Sequence, residues 1–395
     1  MNSEHTFLHK IAQTSPNPLK IEVSHAEGSF IHDINGKQYF DLISGIAVTN
    51  IGHRHPRVVK AIKSQIDKYM HVMAYGEFIQ APQNELAKKL TAQLPDSLDC
   101  CYFVNSGTEA NEGALKLAKR ITGRSEIISC NNSYHGSTHG SLSVTGNEVK
   151  KNAFRPLLPD VHFIDFNSVK ELQKITEKTA CVIIEPIQGD AGVRIPDQGY
   201  LKALRSRCTK TGTILIFDEV QTGFGRTGSL FAFQLYDVVP DILTMAKGMG
   251  GGMPIGAFIS SMEFMKLLTH DPMLGHITTF GGHPINCAAA SANIDVLTEG
   301  DIISKVEFKG QLIESLLLHP AIKEVRRKGL MLAIEFGDAE LVQQIVDECL
   351  KNGVITFYFL SCPTSFRLAP PLTISDEEIK ISCAQVLKSI KTVIQ

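Results

Sequence analysis

Asp218 and Lys247 each stand where a short apolar run ends. Thr213-Ile214-Leu215-Ile216-Phe217 leads into Asp218-Glu219, and Asp241-Ile242-Leu243-Thr244-Met245-Ala246 leads into Lys247, followed by Gly248, Gly250, Gly251 and Gly252. Runs of this kind, rich in β-branched and aromatic residues, fit strands buried on both faces of a parallel sheet. Ligands of open α/β sheets bind at the carboxyl edge of such strands. The acids and the lysine are therefore expected at one edge, beside glycines that let backbone come close to a ligand. An amine placed there can condense with a carbonyl, and a carboxylate can keep a ring nitrogen protonated.

One cofactor chemistry asks for that pair, pyridoxal phosphate, and it also needs a cradle for the phosphate. Cys101-Tyr102-Phe103-Val104 reads as a strand and Asn105-Ser106-Gly107-Thr108 as a turn. Residues 110–120 read as a helix with Ala110, Ala114, Leu117, Ala118 and Ile121 on its apolar side. Ser106 and Glu109 have capping-box spacing. A strand, a glycine turn and a helix N-terminus aim free N–H groups and the helix dipole at an anion, although a helix cap alone accounts for the same residues. Downstream, Glu126-Ile127-Ile128-Ser129-Cys130 reads as another strand, and Tyr134-His135-Gly136 brings an aromatic ring on which a flat ligand can stack. Ala180-Cys181-Val182-Ile183-Ile184 is a further strand, ending in Glu185-Pro186 with Gln188, Gly189 and Asp190 in its loop.

Other chemistries lack their parts. An apolar strand ending in Asp218-Glu219 also resembles a magnesium-binding Walker B strand, but no G-x-x-x-x-G-K-[ST] occurs in the chain. Gly248 to Gly252 does not have the G-x-G-x-x-G spacing of a dinucleotide site. His53-Arg54-His55-Pro56 has no second cluster at ligand spacing and reads as a loop, so no metal is expected.

The elements around these residues are those of a large α/β protein. A chain of 395 residues exceeds what one core usually supports, so two domains are expected. With 39 basic and 41 acidic residues, a nucleic acid or an anionic membrane is not expected as partner. No apolar run reaches the ~20 residues of a membrane span. Met1-Asn2-Ser3-Glu4-His5 has no signal-peptide character, and nine cysteines without a C-x-x-C read as reduced, so a cytoplasmic location is expected. Phe30-Ile31-His32-Asp33 and Gln38-Tyr39-Phe40-Asp41 around Asn35-Gly36 read as a hairpin. Helices are expected from Pro56 and through Glu85-Leu86-Ala87-Lys88-Lys89-Leu90. Towards the C-terminus, Leu312, Leu316 and Leu317 suit a helix, Leu330-Met331-Leu332-Ala333-Ile334 a strand, 342–350 a helix and Ser365-Phe366-Arg367-Leu368 a strand.

Over nearly its whole length the chain resembles the class III aminotransferases, fold type I pyridoxal phosphate enzymes, and within them most closely the acetylornithine and ornithine aminotransferases. The motifs that carry the resemblance occur in family order: Gly45-Ile-Ala-Val48, Gly52-His-Arg-His-Pro56, Asn105-Ser-Gly-Thr-Glu-Ala-Asn-Glu112, Glu185-Pro-Ile-Gln-Gly189, Phe217-Asp-Glu-Val-Gln-Thr-Gly-Phe-Gly-Arg-Thr-Gly228 and Ala246-Lys-Gly-Met-Gly-Gly-Gly252. The resemblance implies a three-layer α/β/α large domain with a mostly parallel sheet over 52–282, and a smaller α/β domain made of the segment 1–51 and residues 283–395. It implies Lys247 as the residue joined to the cofactor and Asp218 as the partner of its ring nitrogen. Ser106, Gly107 and Thr108 would hold the phosphate, Tyr134 and Val220 would cover the two ring faces, Gln221 would reach the phenolic oxygen, and Glu185 belongs with the cofactor-binding residues. Thr279, in Ile277-Thr-Thr-Phe-Gly-Gly282, would reach the phosphate of a neighbouring subunit, which implies a homodimer with shared sites.

The implied reaction moves the ω-amino group of an ornithine-type donor to 2-oxoglutarate by ping-pong kinetics, with arginine biosynthesis as its setting. Two departures bear on the substrate. Tyr134-His135-Gly136 is followed by Ser137 where the family usually has a carboxylate-gripping arginine, and Asp190 stands where the ornithine enzymes have a Glu that pairs with the arginine matching Arg367. Arg367 is expected to bind the α-carboxylate of glutamate and 2-oxoglutarate, and Thr278 is a further candidate for substrate contact. Alternatives are another ω-amino acid or amine as donor, a class III aminomutase, which uses the same cofactor residues, and a non-catalytic binding protein.

Overall fold

The computed structural model describes residues 3–74 and 76–394. After a short helix, Ser3–Lys10, comes an antiparallel meander of β1 (Val23–Glu27), β2 (Phe30–Asp33) and β3 (Gln38–Asp41). Its second turn is closed by Asp33, whose Oδ1 accepts from the N–H groups of Asn35 and Lys37, both at 2.9 Å. The central sheet is made of β4 (Cys100–Val104), β5 (Glu126–Cys130), β6 (Val161–Ile164), β7 (Thr179–Ile184), β8 (Ile214–Asp218), β9 (Ile242–Met245) and β10 (Gly256–Ser260), in the order β4-β10-β9-β8-β7-β5-β6. The run from β9 to β6 is parallel, and β10 lies antiparallel to both β9 and β4.

Successive side chains of a strand point to opposite faces, and the central strands divide their residues accordingly. Cys181, Ile183, Ile214 and Ile216 pack on the helix Gly107–Thr122 through Ala110, Ala114, Leu117 and Ala118. Val182, Ile184, Leu215 and Phe217 face the other layer, with Leu86, Leu90, Leu201 and Leu204. All residues of β7 and β8 are buried, which is why they read as continuous apolar runs rather than alternating ones. At Gly113 an added Cβ would lie 2.3 Å from the Phe258 ring, so helix and sheet sit closer there than any side chain permits.

The second layered unit has β11 (Glu324–Lys328), β12 (Met331–Glu335), β13 (Val354–Ile355), β14 (Phe357–Tyr358) and β15 (Ser365–Leu368). Four of these form an antiparallel sheet ordered β11-β12-β15-β14, while β13 pairs in parallel with β3 and so joins the two ends of the chain in one sheet. The expected C-terminal elements are present, with Leu317 capping the helix Val306–Leu316 rather than lying inside it. The helix Pro284–Glu299 lies against Pro56–Ile66 and Ala81–Thr91. His53 and His55 have local tasks: His53 Nε2 lies 2.8 Å from Asp41 Oδ2, and His55 accepts from the N–H of Arg57 at the start of the helix Pro56–Ile66. No helix among the described residues is long and apolar enough to cross a membrane.

Candidate active site

The loops that follow β4, β5, β7, β8 and β9 enclose a cavity of about 480 Å³ at the carboxyl edge of the sheet. Ser106, Gly107, Thr108, Tyr134, Ser137, Glu185, Asp218, Val220, Gln221 and Lys247 all line it. These residues come from segments far apart in sequence, brought together because parallel strands end at one edge.

Lys247 begins a 3₁₀ turn, Lys247–Gly250, with φ +42°. A non-glycine residue in the left-handed region is strained, and such strain persists where the surroundings fix it. Its surroundings are tight: a Cβ on Gly248 would meet Asn50 Nδ2 at 2.3 Å. Burial lowers the Lys247 pKa, with Asp218 opposing and Arg367 adding to the effect. The nearby guanidinium and the low dielectric both favour the neutral amine, which is the nucleophilic form.

Asp218 and Glu219 go separate ways, as adjacent residues at a strand end do. Asp218 faces the cavity. Glu219 is fully buried on the other side, accepting from the N–H of Ala232 (2.6 Å), the N–H of Phe233 (2.7 Å) and the hydroxyl of Thr222 (3.0 Å), so it caps the short helix Phe233–Tyr236 and takes no part in the cavity. Asp218 Oδ1 accepts from the N–H of Val220 at 3.0 Å. Its Oδ2 accepts from Asn111 Nδ2 at 2.8 Å and lies 2.7 Å from His135 Nδ1. Asn111 in turn donates to His135 O and accepts from Thr244 Oγ1, both at 2.7 Å. The carboxylate is therefore locked from behind, with Oδ1 left one further acceptor position. Burial pushes the Glu185 carboxyl up to about 7, against the pull of His135 and with the Asp218 charge adding to the shift. Glu185 braces the loops through the N–H of Tyr134 (3.0 Å) and of Gly189 (2.8 Å).

The helix Gly107–Thr122 opens on the cavity. Ser106 Oγ accepts from the N–H of Glu109 at 3.3 Å, the expected half of the capping box. The reciprocal half is shifted by one residue: Glu109 Oε2 accepts from Asn105 N at 2.6 Å and from Asn105 Nδ2 at 2.9 Å, not from Ser106 N, because Asn105 is the residue whose side chain also faces it. The N–H groups of Gly107 and Thr108 have no intrahelical acceptor by their position in the first turn. A Cβ on Gly107 would lie 2.7 Å from Val220 Cγ1, so the cradle and the Val220 side chain close on each other only over a glycine.

Asp190, Thr278, Thr279 and Arg367 lie outside the cavity lining. Arg367 on β15 donates through Nη2 to Asp190 Oδ1 at 3.1 Å, and both are buried, so the pair forms even with the shorter acid. Thr278 accepts from Asn105 Nδ2 at 3.0 Å, which ties its loop to the cradle, and Thr279 is exposed. Ser137 lies at the exposed rim with its hydroxyl 3.2 Å from that of Tyr134. Sequence reasoning did not single out Asn111 or His135. Both belong to motifs quoted above, but only the fold shows that they converge on Asp218.

The sequence pattern described as "Aminotransferase class-III" spans residues 11–393. The chain belongs to the class III aminotransferases. This aminotransferase is 41% identical over 377 residues to the acetylornithine aminotransferase of Methanocaldococcus jannaschii, covering 91% of each chain. It is equally 41% identical, over 346 residues covering 85% of this chain and 88% of the relative, to a [LysW]-aminoadipate semialdehyde/glutamate semialdehyde transaminase of Sulfurisphaera tokodaii. Among solved structures it resembles the ornithine aminotransferase of Toxoplasma gondii, in which partial occupancy of PLP at the active site is described. That match has a TM-score of 0.91 and 30% identity, covering 99% of this chain and 94% of that one. The fold is thus fold type I. The aminotransferase cavity fits pyridoxal phosphate by its own residues: a cradle that only glycine allows, a buried carboxylate with one acceptor position open, and a desolvated lysine.

Proposed function

We propose that the protein, with pyridoxal phosphate as cofactor, transfers the ω-amino group of an ornithine-type donor, acetylornithine or ornithine, to 2-oxoglutarate by a ping-pong mechanism. The observation that carries this reading is the meeting of Lys247, Asp218 and the Gly107–Thr108 cradle in one cavity. When bound, the cofactor supplies an aldehyde that takes up the amine and a ring that accepts the electrons of a broken C–H bond. Lys247 would hold the cofactor and, once released from it, would act as the base for the proton on the donor carbon bearing the amine. Asp218 would keep the ring nitrogen protonated, backed by His135 and Asn111. The N–H groups of Gly107 and Thr108, with Ser106, would hold the phosphate. Tyr134 and Val220 would cover the ring faces and Gln221 would meet the phenolic oxygen, while Glu185 holds the Tyr134 loop. Likeness to acetylornithine and ornithine aminotransferases supports the donor class. A panel of ω-amino donors assayed with and without 2-oxoglutarate tests the reading: turnover must require the keto acid, and turnover of a single donor without it would identify an aminomutase instead.

Arg367 is the proposed site for the α-carboxylate of 2-oxoglutarate and glutamate. Arg367→Ala is expected to lower kcat/KM for 2-oxoglutarate by about 100-fold, the value of a charged hydrogen bond worth ~3 kcal/mol. A change of less than threefold would remove Arg367 from the substrate site. Ser137 offers a hydroxyl where a carboxylate could meet a cation. Ser137→Arg is expected to tighten donors with a free α-carboxylate by about 1.5 to 3 kcal/mol. Unchanged donor affinity would mean that another residue already holds that carboxylate.

The working unit we propose is a cytoplasmic homodimer. Met70 and Ile79 are exposed on one segment and Met273 and Phe280 on another, with Ile79 93% exposed, and the two segments touch where the His71 ring lies 5.1 Å from that of Phe280, the neighbour of Thr279; exposed apolar side chains of this kind mark contact with another chain. Thr279 then completes the partner's phosphate site. Mixing inactive Lys247→Ala with an inactive Thr279 variant is expected to restore activity through the hybrid site that takes Lys247 and Gly107 from one chain and Thr279 from the other, read as turnover after mixing. An active monomer at high dilution would contradict the shared site. None of the nine cysteines is paired, which supports a reducing compartment.

A further inference from the structure

Asp190 is held from two sides. On its own loop, Gln188 and Arg194 exchange backbone hydrogen bonds of 3.0 Å in both directions, and Asp190 sits in the narrow turn between them. Across from it stands the β14–β15 hairpin. The turn of that hairpin donates to Asp190 through Leu360 N (3.1 Å, to Oδ1) and Ser361 Oγ (2.9 Å, to Oδ2), while Arg367 on its second strand donates through Nη2. Ser361 Oγ also accepts from Asn147 Nδ2 at 3.0 Å.

Arg367 itself is under-used. Its guanidinium lies 4.4 Å from the centre of the Phe359 ring, it is only 5% exposed, and its Nε has no hydrogen-bond partner among the described residues. A guanidinium has five donors in a fork that suits a carboxylate, and here part of the fork is taken by an internal acid. A substrate carboxylate can claim the whole fork only if Asp190 lets go. Without the other two donors Asp190 would be a buried carboxylate with a single partner and easily moved; with them it is held by three donors at once. Because Leu360, Ser361 and Arg367 belong to one hairpin, the strength of the internal competitor is set by the turn that carries Ser361.

We propose that Ser361 is a positioning residue that sets the availability of Arg367 to a substrate carboxylate by holding Asp190 against it. The proposal rests on the reading of Arg367 as the carboxylate site. A substrate that brings no carboxylate to Arg367 meets a neutral, closed pair, whereas one that does must compete with Asp190. Ser361 therefore separates the two kinds of substrate that share the cavity.

The test is titration calorimetry of the holoenzyme with glutarate, a dicarboxylate without a reacting carbonyl, alongside the half-reaction rate with an ω-amine that has no carboxylate. Ser361→Ala is expected to bind glutarate about fivefold to tenfold more tightly than the unaltered enzyme, as loss of one hydrogen bond to the competing acid implies. Ser361→Thr, which keeps the hydroxyl, should bind it as the unaltered enzyme does, and all three should react alike with the carboxylate-free amine. Unchanged, weaker or undetectable glutarate binding in Ser361→Ala overturns the proposal, as does a tightening that Ser361→Thr shares or a parallel loss of the amine half-reaction. Arg367→Ala separates the two levels. Binding lost there but unmoved by Ser361→Ala overturns Ser361 alone, and binding that survives Arg367→Ala overturns the carboxylate site as well.

Discussion

Lys247→Ala is expected to abolish turnover while leaving a folded protein. In the proposed mechanism two functions are lost at once: the amine that joins the cofactor, and the base that moves the substrate proton. Positioned proton transfer alone contributes roughly 10² to 10⁴ in rate, so the combined loss should exceed about 10⁴. The fold has little reason to respond. Lys247 Nζ makes no salt bridge among the described residues, and removing a desolvated amine relieves a burial cost. The backbone at φ +42° is no worse for alanine than for lysine. Turnover with acetylornithine and 2-oxoglutarate, measured with the thermal unfolding midpoint, checks this. A variant that retains a tenth of the activity would show that another base does the work.

Asp218→Asn should cost about 100-fold or more in kcat, again without unfolding. The lower bound comes from losing the charge on a hydrogen bond worth ~3 kcal/mol; the rest comes from a ring nitrogen that no longer stays protonated and so accepts electrons less well. The back of Asp218 makes the substitution harsher than its size suggests. Oδ1 accepts from the N–H of Val220, and Oδ2 meets Asn111 Nδ2 and His135 Nδ1. An amide in that place turns an NH₂ towards donors on one side or towards the cofactor on the other. Steady-state rates together with the affinity for added pyridoxal phosphate measure both effects. Near-normal turnover would remove Asp218 from the ring nitrogen.

Much of this arrangement was legible in the sequence because buried parallel strands carry a strong local signal. The runs before Asp218, Lys247 and Glu185 are β8, β9 and β7 to within a residue or two, and the residues that end them face one cavity or brace it. The split between Asp218 and Glu219 follows from strand alternation and could have been read from it. The helix Asp376–Ile394 was not read from the sequence, although the spacing of Ile379, Cys383, Val386 and Ile390 and the reciprocal capping pair of Ser375 and Glu378 would have marked it. Other parts had no local signature. The helix Pro284–Glu299 is buried on most sides, with Ile285, Cys287, Ala289, Asn293, Ile294 and Leu297 all inside, so no polar stripe marks its period. That β10 runs antiparallel within a parallel sheet depends on pairing with β4, far back in the chain. At the site, Asn111 in a helix interior reads as an ordinary polar residue until the fold sets it 2.8 Å from a carboxylate 107 positions away. The Asp190–Arg367 pair spans 177 positions and draws its remaining donors from a turn with no motif of its own.

The most direct test of the account is to reduce the holoenzyme with borohydride and map the residue that retains the cofactor. Reduction fixes the cofactor on the amine to which it is joined, so peptide mass analysis reports the attachment site independently of substrate. A single pyridoxyl group is expected on the peptide carrying Lys247, lost in Lys247→Ala. A label on any other lysine, or no label in protein saturated with pyridoxal phosphate, would contradict it.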